Sequence, residues 1–288
     1  MPRISIITDS CASLPDEFYA QYEIAMVPYF LHIGQRSLRD LVDITREDFL
    51  DHMRTATEVP KTANPGAGDY LEAFRTAARR SRDIISIHMT SLGSGAFQAA
   101  SVAKEMALKT LGDLRIEVVD TRNVSMGHGW MVLEAARAAI SGASADDILA
   151  LIRRMIPVTR MLQTADTLRY LYLGGRIGRA QHLVGSVLNI KPIIGMEDGV
   201  IVALGQARSR TAVYRRMVEL IAGKVGAGAA IKAAIVHAAD QDAAIALRDL
   251  IASRFQCVEM LVTNLSSALA VHTGPGTVGV CYVPVSVL

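Results

Sequence analysis

The chain has 288 residues, 51 % hydrophobic with only 5 % aromatic, and a formal net charge of +2. That is material for one large domain or two ordinary ones, and near-neutrality argues against a polyanion binder by overall composition. Cys11, Cys257 and Cys281 stand far apart with no C-x-x-C pair, which points to reduced thiols in a cytoplasm and away from a disulfide scaffold or a zinc site.

In chain order, residues 4–7 form a β-branched run, and the polar Thr8, Asp9 and Ser10 follow at its carboxyl end. Ser13 with Asp16 has the spacing of a capping box, with Pro15 in the first turn. Residues 27–33 read as a strand. Thr45 and Asp48 predict a capped helix through Met53, and two prolines and two glycines make 59–68 a loop. Helices are expected over 70–80, 94–111, 125–140 and 145–156, the last capped by Ser144. Strands are expected at 84–88 and 116–119. Strands separated by helices imply βαβ units and a parallel sheet, with ligands beyond the carboxyl ends of the strands.

After Pro157 the pattern changes. A short strand at 161–164 and a helix at 183–188 precede two strands flanking Asp198-Gly199, a hairpin signal that introduces antiparallel pairing. Helix 211–224, strand 233–237, helix 242–255, strand 258–262, a short helix near 266–271 and a last strand from Val278 follow. The expectation is an α/β chain: a parallel-sheet N-terminal domain over 1–156 and a second α+β domain with a mixed sheet over 157–288. The default ligand site is the cleft between them. No signal-type apolar core forms before Asp9 and no apolar run is long enough to span a bilayer, so a soluble protein without stable membrane insertion is expected.

Several motifs need weighing. Gly274 to Gly279 matches G-x-G-x-x-G, but it precedes a strand and no helix follows, so it reads as a tight turn rather than a dinucleotide site. Ser91 to Gly95 looks like a nucleophile elbow but has Leu92 and Ala96 where glycines are required. A serine hydrolase using Ser94 and His272 stays open beside two other readings of Ser94, a plain helix N-cap and an anion site at a helix N-terminus. His272 is either structural or functional. Metal spacing such as His-Glu-x-x-His is absent from the sequence. Gly174-Gly175-Arg176 is a flexible turn within a stretch from Pro157 to Arg216 that carries nine Lys and Arg against three acids. That stretch is either a solvated face or a surface for a local anionic partner. It lacks interleaved aromatics and any nucleic-acid motif, and the turn lacks Walker-A spacing.

Taken together, these pieces resemble the DegV family of fatty-acid-binding proteins. Ile7-Thr8-Asp9-Ser10 with Leu14-Pro15 resembles the family's opening, and Asp40 to Ile44 its D-G-V-D-I element. Ser94-Gly95-Ala96-Phe97-Gln98 is similar to S-G-T-Y-Q, and Asp120-Thr121 with Ser125, Gly127 and Gly129 to D-T-x-x-x-S-x-G-x-G. Leu168, Tyr170, Leu171 and Gly174 to Ile177 resemble L-x-Y-L-x-x-G-G-R-I, with Lys191-Pro192-Ile193 and His272 to Gly276 completing the order. The family's T-S-Q-P-S loop is Thr62-Ala63-Asn64-Pro65-Gly66 here, and Ala96 and Phe97 each lack a hydroxyl that the family carries, which bears on ligand preference more than on fold.

The resemblance implies one long-chain fatty acid buried between the domains, with its carboxylate at Thr62, Ser94 and Gly95 and with His272 and Arg208 close by. It also implies a non-catalytic carrier, without cofactor or metal, that presents the carboxylate to a dihydroxyacetone-kinase-like fatty acid kinase for acyl-phosphate formation. Arg176 is the residue expected to dock that partner.

Overall fold

A computed structural model describes residues 4–56, 58–183 and 190–288. The first part of the chain runs β1 (Ser5–Asp9), α1 (Asp16–Gln21), β2 (Ala25–Val27), β3 (Phe30–Ile33), β4 (Arg36–Arg39), α2 (Arg46–Thr55), β5 (Lys61–Ala63) and α3 (Ala67–Ala78). It continues through β6 (Asp83–His88), α4 (Ala96–Thr110), β7 (Arg115–Asp120), α5 (Ser125–Ile140) and α6 (Ala145–Met155). The second part holds β8 (Arg160–Thr164), α7 (Arg169–Leu173), β9 (Lys191–Glu197), β10 (Val200–Ala207), α8 (Arg210–Val225) and β11 (Ala230–His237). It ends with α9 (Gln241–Ala252), β12 (Gln256–Asn264), α10 (Ser267–Thr273) and β13 (Val278–Pro284).

The fold is α/β. β2, β1, β6 and β7 form a parallel sheet in that order. The second sheet is mixed, in the order β10-β9-β8-β13-β11-β12, antiparallel except for β11 with β12. Helix α5 lies between them. Its first twelve residues are all buried, and fully buried Trp130 donates its indole N–H to the Cys281 carbonyl of β13 at 3.1 Å. A helix hydrophobic on every side has to be covered on every side, and here one sheet covers each flank. The buried core accordingly runs from Ile6 through Met161 to Val283.

Most expected elements are present, several with longer bounds, and four local readings are corrected. The run read as a single strand at 27–33 is two strands in two sheets, because Pro28 has no N–H to continue a ladder. The loop read at 59–68 contains β5, third member of a small antiparallel sheet ordered β4-β3-β5 that the sequence reading missed. Ser13 caps no helix. It sits in the left-handed region at φ 53°, and its Oγ accepts from the Ser266 amide at 3.0 Å, tying the N-terminal turn to α10. The helix expected from Ser94 starts at Ala96, with Gly95 as its N-cap residue. Thr45 and Ser144 do cap their helices, and Asp198-Gly199 does turn the β9–β10 hairpin. The helix expected at 183–188 lies outside the described residues apart from Leu183, the end of a 3-10 turn.

Candidate functional site

The carboxyl ends of β1 and β6 and the loop after β7 face the hairpin side of the mixed sheet, and α10 closes a third side. Between them lies a half-open cavity of about 740 Å3, within the range of small-molecule sites. Much of its wall is apolar, including Met161, Leu171, Met196, Ile201, Leu265 and Leu269. One edge is fastened where Thr90 donates its hydroxyl to the Gly199 carbonyl at 2.8 Å. Gly199 has φ +81°, and an added Cβ would come within 2.6 Å of Thr90 Oγ1, so this contact needs glycine at the hairpin turn.

Polar groups converge on one part of the wall. β5 delivers Thr62, whose Oγ1 lies 3.0 Å from His272 Nε2 on α10. The turn before α4 delivers Ser94, whose Oγ lies 2.6 Å from the buried Tyr29 hydroxyl and also accepts from the Ala96 amide at 3.3 Å. Gly95 sits close to Asn64, where an added Cβ would meet the side-chain oxygen at 3.1 Å. Burial, and secondarily the charge of Arg176, pushes the His272 pKa down to about 4, so its ring is neutral at pH 7. Burial likewise holds the Tyr29 hydroxyl protonated. The wall thus offers neutral hydroxyls and a neutral imidazole, beside the N-terminus of the fifteen-residue α4. Such a set can hydrogen-bond an anion without an opposing buried charge.

Thr62, Ser94, Gly95, His272 and Arg176 all line the cavity. Arg176 is exposed at its rim and donates to the Gly174 carbonyl at 2.6 Å. Arg208 does not line it, which corrects the sequence reading. The residues of the hairpin that reach the cavity are Met196, Gly199, Val200 and Ile201, all near its turn. Arg208 is exposed beyond the other end of β10, roughly 25 Å along the strand direction at about 3.3 Å per residue. The Ser94–His272 pairing needed by a serine nucleophile is not formed, since each side chain is engaged elsewhere and His272 Nδ1 has no hydrogen-bond partner among the described residues.

A second network lies below the site. Ser86 Oγ is 2.7 Å from His88 Nε2, and His88 Nδ1 is 3.0 Å from Asp9 Oδ2. The order is that of a Ser-His-Asp triad, yet all three are fully buried and none lines the cavity. Burial would raise the Asp9 pKa, but His88 and then His128 outweigh it and hold the carboxylate ionised. Asp9 Oδ1 accepts from the Cys11 amide at 3.0 Å, and the turn it caps carries Cys11 to the cavity wall. The network therefore fixes the loop. Sequence reading missed Tyr29, Asn64 and Cys11. Asn64 stood in the T-S-Q-P-S counterpart, but nothing local marked Tyr29.

A cavity that combines apolar walls with neutral donors and an arginine at its rim can hold an amphipathic small molecule. The chain belongs to the DegV family, whose model, described as an uncharacterised protein family, matches residues 3–285. A DegV domain-containing protein of Caldanaerobacter subterraneus is 30 % identical over 282 residues, covering 98 % of this chain and 99 % of that protein. One of Streptomyces coelicolor is 32 % identical over 280 residues, covering 96 % and 97 %. Among solved structures, a fatty-acid-binding DegV family protein from Thermus thermophilus superposes with a TM-score of 0.91 at 30 % identity, covering 98 % of this chain and all of that one. DegV from Bacillus subtilis, described as a fatty acid binding protein, gives 0.87 at 27 % identity over 99 % of this chain and 100 % of its own.

Proposed function

We propose that this chain binds one long-chain fatty acid, with the tail in the cavity and the carboxylate at Thr62, Ser94, Gly95 and His272. The observation that carries this reading is the pairing of Thr62 with His272 and of Ser94 with Tyr29 on one wall of a cavity whose lining also includes Met161, Leu171, Met196, Ile201, Leu265 and Leu269. The Thermus and Bacillus relatives support it. A sixteen-carbon tail has about fourteen methylenes, and burial at about 0.8 kcal/mol each offers roughly 11 kcal/mol before association costs of several kcal/mol. An unpaired buried carboxylate would forfeit much of that. The clustered donors and the α4 N-terminus answer that cost.

In this reading the chain is a carrier. It presents the carboxylate to a dihydroxyacetone-kinase-like partner that supplies ATP and forms the acyl phosphate. Arg176, exposed at the rim, suits an anionic partner surface or a transferring phosphate. The alternative, acyl transfer through Ser94 with His272 as base, requires both side chains to leave their present partners.

Mass spectrometry of the purified, denatured protein separates the readings. A co-purified free fatty acid supports the carrier, and a covalent acyl adduct at Ser94 supports the enzyme. A protein that holds no lipid and takes up none when offered fatty acid removes the proposal.

A further inference from the structure

A chain of hydrogen-bonding side chains runs from the proposed head-group site into the core. Ser94 lines the cavity, and its Oγ lies 2.6 Å from the Tyr29 hydroxyl. Tyr29 hydrogen-bonds the Cys11 thiol, and the thiol in turn the Ser266 hydroxyl. Ser266 Oγ lies 3.4 Å from Asp40 Oδ2. Tyr29 and Cys11 are buried, and Ser266 and Asp40 fully so. The chain therefore links the cavity wall to a carboxyl group that has no contact with water.

Local folding sets these positions. The turn after β1 brings Cys11 to the cavity wall. Tyr29 and Asp40 flank the β3–β4 hairpin, and the Asp40 amide donates to the Tyr29 carbonyl at 2.9 Å, so one hairpin holds both. Ser266 is the N-cap residue of α10, whose last turn carries His272. The charged and titratable groups that face Asp40 are Arg46 of α2, Tyr19 of α1 and Cys11. Burial pushes the Asp40 pKa up, and the Arg46 charge pulls against it. Arg46 also pairs with Asp16 Oδ1 at 3.2 Å, so its charge is shared.

Each hydroxyl or thiol in the chain has one hydrogen to donate, so the ends set its direction. An ionised Asp40 only accepts. Ser266 then donates to Asp40, Cys11 to Ser266, Tyr29 to Cys11 and Ser94 to Tyr29, which leaves a Ser94 lone pair facing the cavity. A protonated Asp40 donates to Ser266 and reverses every member, so that Ser94 donates into the cavity. A carboxylate needs the second direction. A carboxylic acid, whose O–H donates to Ser94, fits the first. We propose that the fatty acid is bound together with one proton, shared between its head group and Asp40 through this chain. This rests on the fatty-acid reading above and deepens it. The proton comes from water. Bound as the acid, the ligand keeps it; bound as the carboxylate, it sits on Asp40. In both arrangements the site and Asp40 together hold one negative charge, the same as before binding, so no second charge is buried.

The test is titration calorimetry of the delipidated protein with dodecanoic acid below its micelle concentration, at pH 8 in buffers of different ionisation enthalpy. The slope of the measured heat against that enthalpy counts the protons taken up. A carboxyl group in water is ionised at this pH. Wild type is therefore expected to take up about half to one proton per acid, and its affinity to fall about threefold to tenfold per pH unit between pH 7 and 9. Asp40→Asn is permanently neutral and keeps a donor for Ser266, so it should bind without proton uptake and with a flat pH profile. Infrared difference spectra of wild type need no variant. They should show one protonated carboxyl gained on binding, and acid isotopically labelled at its carboxyl carbon tells whether it belongs to the ligand or to Asp40. Zero uptake in wild type, or no such band, overturns the proposal. Uptake unchanged in folded Asp40→Asn also overturns it, and its loss in His272→Gln would then assign the proton to the imidazole. Failure of the acid to bind wild type is a different result, since it removes the fatty-acid reading itself.

Discussion

Thr62 Oγ1 and His272 Nε2 lie 3.0 Å apart although 210 residues separate them in the chain. The contact joins the small antiparallel sheet to α10, and it fixes which ring nitrogen faces the cavity wall. Several measurable consequences depend on it.

The first concerns acid. The unfolded chain protonates His272 near pH 6.5, whereas the folded chain resists until about 4. Above pH 6.5 both states hold a neutral ring. Between 6.5 and 4 the unfolded state binds a proton that the folded state does not, so stability falls as pH drops through that window. The loss approaches about 3 kcal/mol at its lower end. His272→Gln should flatten this part of the stability–pH curve, measured by urea titration at pH 7.5, 6 and 5. An unchanged slope would mean that other groups cause it.

Carboxylate capture should depend on the hydroxyls. Thr62→Ala and Ser94→Ala are each expected to weaken fatty-acid binding by about 1.5–3 kcal/mol, the worth of a hydrogen bond to a charged group. Ser94→Ala also strands the Tyr29 hydroxyl, its 2.6 Å partner, so the double variant need not be additive. Titration calorimetry on folded variants measures this, and wild-type affinity in the double variant places the head group elsewhere.

Arg176 acts on His272 through charge alone. Arg176→Ala should raise the His272 pKa from about 4, read from imidazole NMR shifts. The same variant should retain lipid yet fail to support acyl-phosphate formation with the cognate kinase. Full turnover removes the docking role. A fall in melting temperature together with turnover would assign Arg176 to the structure.

Gly174 leaves room for the imidazole. A Cβ there would come within 2.3 Å of His272 Nδ1 and 3.1 Å of the Tyr170 carbonyl. Its φ of −75° suits any residue, so the effect of Gly174→Ala is steric. A cost of about 1–3 kcal/mol is expected, along with weaker lipid binding as the ring leaves Thr62. Melting and affinity unchanged in this variant would show that the ring moves freely.

Local pattern was sufficient for the alternation of strands and helices. Helical and strand periodicity, the Thr45 and Ser144 caps and the Asp198-Gly199 turn depend only on neighbours a few residues apart. Ordered short motifs were enough to mark the family, and of the residues they nominated for the carboxylate, Thr62, Ser94, Gly95 and His272 line one cavity and Arg208 does not. Tertiary structure alone decided the rest. Ser13 accepts from the amide of Ser266, just before α10, instead of capping its own helix. The hydroxyl partner of Ser94 is Tyr29, from a segment that Pro28 splits between two sheets. Arg208 falls away from the site because it follows the end of β10 opposite the turn that reaches the cavity, and Gln163 lies on the same face of β8 as Met161 because register sets which face it takes. Local patterns fix which element forms, but the face a residue presents and the partner it meets depend on strand order and register across long separations. Those are decided only when the two sheets close on α5.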